Sequence, residues 1–191
     1  MSVSVQKTAL RKHLLEKRDA TSAEFRDISS KKIHQNLRQV DSYNNSQNIA
    51  CYFPIGSEVD THDIMLDILE NGKNMLLPKI VDSNLEFYVI PNLEKLENGV
   101  FDIMEPKASC KKTENIDCIL IPTIGVSKLG DRLGYGMGYY DKFLSFTDVI
   151  KISLTYSKQI VKSIPSESYD IKIDLIITED EIIKVEVYLA S

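Results

Sequence analysis

The chain carries only three cysteines, Cys51, Cys110 and Cys118. An odd number with no Cys-x-x-Cys pair offers neither a disulfide framework nor a cysteine-based zinc site. Cys51 and Cys118 stand in apolar runs and read as small buried residues. The three histidines, His13, His34 and His62, show no metal-ligand spacing. No run of eighteen apolar residues occurs, so no membrane-spanning helix is expected. The amino-terminal stretch MSVSVQKTALRK lacks an apolar signal region, and a cytoplasmic protein is the expectation. Acidic residues outnumber basic ones, 28 to 23, and the net charge of −5 argues against a broad nucleic-acid surface. It leaves room for a local cationic pocket around a small anion. No repeat, low-complexity segment or linker interrupts the 191 residues, whose 43% hydrophobic and 27% charged side chains suit one globular domain spanning 1–191.

Glycine is scarce as well, eight in all, yet five of them (Gly125, Gly130, Gly134, Gly136 and Gly138) fall between Pro122 and Leu144. This stretch follows the apolar run Ile116 to Ile121, which reads as a buried strand. In α/β folds the end of such a strand is the carboxyl edge of the sheet, where ligands bind. Gly125 and Gly130 have the P-loop separation, but Asp131-Arg132 replaces its lysine and hydroxyl. Gly134 and Gly136 begin a dinucleotide fingerprint, but Tyr139 occupies the place of its third glycine. The stretch still holds the parts of an anion site: free backbone N–H groups, Arg132, and a helix start near Gly138. Asp141 then falls close to the bound anion. A carboxylate beside a phosphate is repulsive unless a cation lies between them, which points to Mg²⁺. The plainer alternative is a glycine-rich surface turn packed on Tyr139 and Tyr140. The clustering of glycines with arginine, tyrosines and aspartate ranks it second.

The remaining chain alternates helices and strands. Gln6 to Asp19 reads as a helix on which Lys7, Arg11 and Arg18 fall within about 40° of one another, flanked by Leu10, Leu14 and Leu15. Cations in an apolar face either pair with buried carboxylates or snorkel, or else point at an anion held elsewhere in the fold. Thr21 to Glu24 resembles a capping box opening a helix to about Val40, with Phe25, Ile28, Ile33 and Leu37 at helical spacing. Asn48 to Phe53 reads as a strand. Thr61 caps a helix to about Asn71, stopped by Gly72, and Asn74 to Leu77 is a strand ending at Pro78. Strand, helix, strand predicts a parallel βαβ unit, which puts the loop Phe53 to Asp60 on the ligand side. Leu85 to Ile90 is a further strand, Leu96 to Pro106 a loop, and Cys110 to Asn115 a connection. After the glycine stretch come a helix to about Phe146 and strands at Ile150 to Tyr156, Ile173 to Thr178 and Ile182 to Tyr188. The order predicts an α/β fold, a mainly parallel sheet flanked by helices in a Rossmann-like three-layer arrangement.

The run Arg132-Leu133-Gly134-Tyr135-Gly136-Met137-Gly138-Tyr139-Tyr140-Asp141 closely resembles the signature of the 5-formyltetrahydrofolate cyclo-ligase (5,10-methenyltetrahydrofolate synthetase) family. Lys7-Thr8-Ala9-Leu10-Arg11, Glu58 to Thr61 and Lys172 to Asp174 resemble further family elements in the same order, so the likeness covers about Lys7 to Thr178. Where this family often has Phe-Asp before the glycines, this chain has Ser127-Lys128. Lys142 replaces a frequent arginine, keeping the charge but not the planar fork. The resemblance implies an enzyme that uses ATP and Mg²⁺ to convert 5-formyltetrahydrofolate into 5,10-methenyltetrahydrofolate. It assigns phosphate charge to Lys7, Arg11 and Arg132. ATP is expected along Lys7 to Arg11 and Arg132 to Tyr140, the folate at Phe53, Glu58 and Tyr135 to Tyr139, and the metal at Asp141 and Asp174. A monomer is the default. Two alternatives stay open, another ATP-dependent phosphotransferase or ligase on this fold, and a non-catalytic folate- or nucleotide-binding module.

Overall fold

The computed structural model describes residues 2–99 and 103–186. In chain order the elements are α1 (Val3–Asp19), α2 (Ala23–Leu37), α3 (Asp41–Asn44), β1 (Asn48–Ala50), α4 (His62–Glu70), β2 (Asn74–Val81), β3 (Asn84–Ile90), β4 (Leu96–Asn98), β5 (Met104–Pro106), β6 (Lys111–Thr113), β7 (Cys118–Pro122), β8 (Gly125–Ser127), β9 (Arg132–Leu133), α5 (Tyr139–Leu144), β10 (Ile150–Leu154), β11 (Ile160–Val161), β12 (Leu175–Ile177) and β13 (Ile182–Lys184). Eight strands form the main sheet in the order β13-β12-β10-β7-β1-β2-β3-β6. The central pairings are parallel, and the outer ones, β12 with β13 and β2 with β3 with β6, are antiparallel. The expected mainly parallel α/β sheet is therefore present, edged by hairpins. Among the described residues no helix is long and apolar enough to cross a membrane.

The pleat sorts alternate residues onto two faces. Ile49, Cys51, Met75, Leu77, Cys118, Leu120, Ile152 and Leu154 pack with Ile33 and Leu37 of α2 and Ile64, Met65 and Ile68 of α4. Ala50, Leu76, Ile119, Ile121 and Ile176 pack on the opposite face with Leu144 of α5. Both faces being covered explains why these strands read as continuous apolar runs rather than alternating ones. Cys51 and Cys118 are fully buried, as expected. A third cluster joins Leu14 of α1 to Ile124, Leu133 and Ile164. It docks α1 against the small sheet β11-β8-β9 that carries the start of the glycine stretch. Gly125 permits this approach, because a Cβ there would collide with the Leu14 side chain.

Several boundaries differ from the sequence reading. α1 begins three residues earlier, at Val3. The cap of α2 is Ser22, which accepts from Phe25 N–H at 3.1 Å, so Thr21 and Glu24 do not form a capping box. Ile28 is exposed rather than core. Thr61 precedes α4 without capping it, its hydroxyl donating instead to Tyr52 O at 2.7 Å. β2 runs through Pro78, which lies opposite Phe87. The expected loop at Leu96 to Pro106 contains the antiparallel pair β4 and β5, and the expected connection at Cys110 to Asn115 contains the edge strand β6. These strands are short and partly exposed, so they leave no apolar signature. Residues 100–102 of that loop and 187–188 of the last expected strand lie outside the described residues.

Candidate active site

β1 and β7 are parallel and end at Ala50 and Pro122, and the chain beyond those ends walls a cavity of about 890 Å³. That size suits small-molecule ligands. Lys7, Thr8 and Arg11 of α1 line it, as do Phe53, Glu58 and every residue from Arg132 to Asp141. Ala9 and Leu10, expected along the nucleotide, do not. At 100° per residue they turn off the Lys7/Arg11 face; Ala9 is exposed and Leu10 packs against the Leu14 cluster.

The cations of the site are already paired. Lys7 Nζ donates to Asp170 Oδ2 at 2.5 Å and to Glu167 Oε2 at 3.2 Å, 5.7 Å from the centre of the Tyr169 ring. Burial works to lower the Lys7 pKa, but the hydrogen bonds and charges of Asp170 and Glu167 outweigh it and raise it. Arg132, with a side chain only 4% exposed, donates from Nη2 to Asp141 Oδ2 at 2.9 Å. The other oxygen of Asp141 accepts from Ile171 N–H at 3.3 Å. Arg11 Nε donates to Gly134 O at 2.7 Å, which ties α1 to the glycine loop. Gly136 bends the loop at φ +97°, and a Cβ there would stand 3.2 Å from the Arg11 guanidinium. α5, which Gly138 opens at φ +71°, has only six residues. Any anion binding therefore rests on the loop amides and these cations rather than on a long helix dipole.

Glu58, which also lines the cavity, is 6% exposed. Its Oε1 accepts from the Tyr135 hydroxyl at 2.7 Å and its Oε2 from Ile55 N–H at 2.9 Å. Burial raises the Glu58 pKa against the opposing effect of those two donors and of Arg18. Burial likewise pushes the Tyr135 phenol up to about 12. Phe53 packs edge-on against His62, ring centres 4.8 Å apart.

Asp174 stands apart from the other expected site residues. It accepts from Lys151 N–H at 2.8 Å, pairs with Lys151 Nζ at 2.8 Å, and does not line the cavity. It immediately precedes β12, at the end of a parallel strand opposite to the ligand edge. Of the carboxylates in this segment Glu167 and Asp170 line the cavity, and Ile171, the residue after Asp170, donates its N–H to Asp141. Among the described residues no three His, Cys, Asp or Glu side chains converge as a metal cage. A pair of hard carboxylate donors that leaves the other positions to phosphate oxygens and water nonetheless matches the habit of Mg²⁺. Sequence reading also missed Tyr169 and the wall built by Pro78, Ile80, Leu85 and Met104. Nothing local in those segments shows that they fold over a pocket.

A cavity lined by Lys7, Arg11, Arg132 and the buried acceptor Glu58 lies at the carboxyl edge of the parallel sheet, the place where α/β proteins bind small-molecule ligands. The model of the 5-formyltetrahydrofolate cyclo-ligase family matches residues 3–179, and the chain belongs to that family. It is 29% identical to the 5-formyltetrahydrofolate cyclo-ligase of Mus musculus, over 94% of this chain and 97% of the relative. It is 32% identical to that of Mycoplasma genitalium, over 91% and 98%. Among solved structures, the 5,10-methenyltetrahydrofolate synthetase of Aquifex aeolicus matches with a TM-score of 0.85 at 30% identity, covering 97% of this chain and 99% of the other. That of Mycoplasma pneumoniae matches with a TM-score of 0.74 at 31% identity, covering 91% and 98%.

Proposed function

We propose that this protein converts 5-formyltetrahydrofolate and ATP into 5,10-methenyltetrahydrofolate, ADP and phosphate. The observation that carries this reading, beyond family membership, is that Lys7, Arg132 and the buried acceptor Glu58 all open on one cavity. A formamide carbonyl is a poor electrophile and its oxygen a poor leaving group. Attack of that oxygen on the γ-phosphorus of ATP releases ADP and leaves an iminium phosphate. The nitrogen at position 10 then attacks the formyl carbon, the C–O bond breaks with departure of phosphate, and loss of the N10 proton leaves the methenyl bridge.

Phosphoryl transfer asks the protein mainly for position and charge neutralisation. Lys7, Arg11 and Arg132 meet the phosphates, together with the loop amides from Gly134 to Gly138. Asp141 and Asp170 are the residues that would hold Mg²⁺, which when bound neutralises phosphate charge. Glu58 accepts from the pterin N–H groups, with Phe53 and Tyr135 beside it. The same reading takes residues 1–191 as one catalytic domain, acting as a cytoplasmic monomer without a nucleic-acid or membrane partner. The test is stoichiometric. Phosphate should appear mole for mole with formylfolate consumed, and only with ATP present. Phosphate release at an equal rate without formylfolate would exclude this acceptor.

A further inference from the structure

Arg18 lies on the Lys7/Arg11 stripe but outside the cavity wall, and it is only 3% exposed. Its Nε donates to Ser57 Oγ at 2.9 Å, and its Nη2 donates to the Tyr135 hydroxyl at 2.9 Å. The guanidinium also lies 6.0 Å from the centre of the Tyr135 ring. Its Nη1 is buried and makes no hydrogen bond among the described residues. A buried cation with an unsatisfied nitrogen is costly.

The direction of the hydrogen bonds supplies a use for it. A guanidinium has donors only, and a phenol has one proton. Since Tyr135 oxygen accepts from Arg18, its own proton is free for Glu58 Oε1, 2.7 Å away. The same logic holds at Ser57, whose hydroxyl accepts from Arg18 and donates to Asp19. Glu58 thus receives a proton donor at each oxygen, Tyr135 at Oε1 and Ile55 N–H at Oε2. Both oxygens keep a lone pair for a ligand.

We propose that Arg18 is a positioning residue for folate recognition, orienting the Tyr135 hydroxyl so that Glu58 presents two acceptor oxygens to the N–H groups of the pterin. This rests on the reading above that Glu58 meets the folate. Without Arg18 the phenol is free to turn, and a protonated Glu58 can donate to it, which presents the wrong hydrogen-bonding face to a ring N–H. The groups facing Glu58 are Arg18 from α1, Tyr52 beyond β1, Tyr135 from the glycine loop and Tyr140 from α5. Phenols are neutral throughout the acid range, so of the groups facing the pterin edge the one that titrates there is Glu58.

The experiment is equilibrium titration of 5-formyltetrahydrofolate, and separately of ATP, into wild-type protein, Arg18→Gln, Arg18→Lys, Tyr135→Phe and the Arg18→Gln/Tyr135→Phe double variant, each across pH. Loss of a hydrogen bond to a charged group predicts folate binding weaker by about tenfold in Arg18→Gln and in Tyr135→Phe, with ATP binding of Arg18→Gln within about twofold. The acid midpoint of folate binding should move to higher pH in Arg18→Gln, and Arg18→Lys should restore part of the loss. In the Tyr135→Phe background, Arg18→Gln should add less than about twofold, since the two act in series. Unchanged folate affinity in either single variant overturns the role of Arg18. So do equal losses for folate and ATP in Arg18→Gln, or full additivity in the double variant. Wild-type protein that binds no formylfolate overturns the functional reading itself, and Arg18's role with it.

Discussion

Lys7 and Asp170 are 163 positions apart in the chain and 2.5 Å apart in the fold. With the 2.9 Å pair between Arg132 and Asp141, each of these cavity cations already has a carboxylate. When the nucleotide and a divalent cation arrive together, the carboxylates can turn to the metal and the cations to phosphate, so no buried charge is left alone. Lys7→Met should therefore raise the KM for ATP by at least about tenfold, the scale of one charge-assisted hydrogen bond. The KM for folate should change far less. Steady-state kinetics with each substrate varied in turn checks this, and equal changes in both would count against it.

Asp170 and Asp174 separate two metal assignments. Asp141→Asn and Asp170→Asn should each lose turnover by about a hundredfold or more and need more Mg²⁺ for what remains, whereas Asp174→Asn should keep a wild-type Mg²⁺ dependence. Asparagine keeps one acceptor oxygen, enough for Arg132 or for Ile171 N–H but not both, so thermal unfolding of Asp141→Asn should remain cooperative at a lowered midpoint. Mg²⁺ titrations of activity with parallel melting curves give the answer. A raised Mg²⁺ requirement in Asp174→Asn alone would restore the assignment read from the Lys-Ile-Asp run.

Gly136 joins backbone strain to a functional contact. Alanine there meets both the positive φ and the Arg11 guanidinium 3.2 Å away. The expected cost is about 1–3 kcal/mol of stability. A larger relative loss should appear in ATP affinity, because Arg11 holds the loop through Gly134 O. Chemical denaturation and nucleotide titration of Gly136→Ala measure the two effects separately.

Acid should act on Glu58 in two opposite senses. Its pKa in the folded protein is raised by burial, so the ionised form strains the fold. That contribution favours the folded state below the unfolded pKa and is lost as pH rises through the folded pKa. Folate binding needs the carboxylate and so is lost as pH falls through that same raised value. Glu58→Gln should abolish the acid limb of folate binding along with most of the affinity. A wild-type limb persisting in Glu58→Gln would assign it to another group.

The sequence made the glycine loop, the βαβ unit and the Lys7/Arg11 face legible because each is a local pattern: clustered glycines, alternating apolar segments, a helical stripe. The loop Phe53 to Asp60 followed from topology, since a parallel unit fixes which loop meets the ligand, and the family resemblance singled out Phe53 and Glu58 within it. Asp170 did not follow. It and Asp174 lie four positions apart in a similar acidic-apolar context, and only the turn holding Ile171 on Asp141 and Glu167 on Lys7 decides between them. Both possibilities weighed for the α1 cations hold at once at Lys7, which faces the cavity and is paired with Asp170 and Glu167, whereas Arg11 faces it bonded to the Gly134 carbonyl and Arg18 lies outside it. Ala9 and Leu10 entered as part of a contiguous motif, although helix geometry alone turns them away. The hairpins β2–β3 and β4–β5 bring Ile80, Leu85 and Met104 to the cavity through antiparallel pairing, a long-range outcome with no mark in those segments.

The most direct test is absorbance of the purified protein mixed with 5-formyltetrahydrofolate, ATP and Mg²⁺, followed in the near ultraviolet, where methenyltetrahydrofolate absorbs well away from the substrate. The predicted result is growth of that band, absent when either ATP or Mg²⁺ is omitted. A folded, ATP-binding protein that produces no band would contradict the folate assignment while leaving the phosphate-binding loop in place.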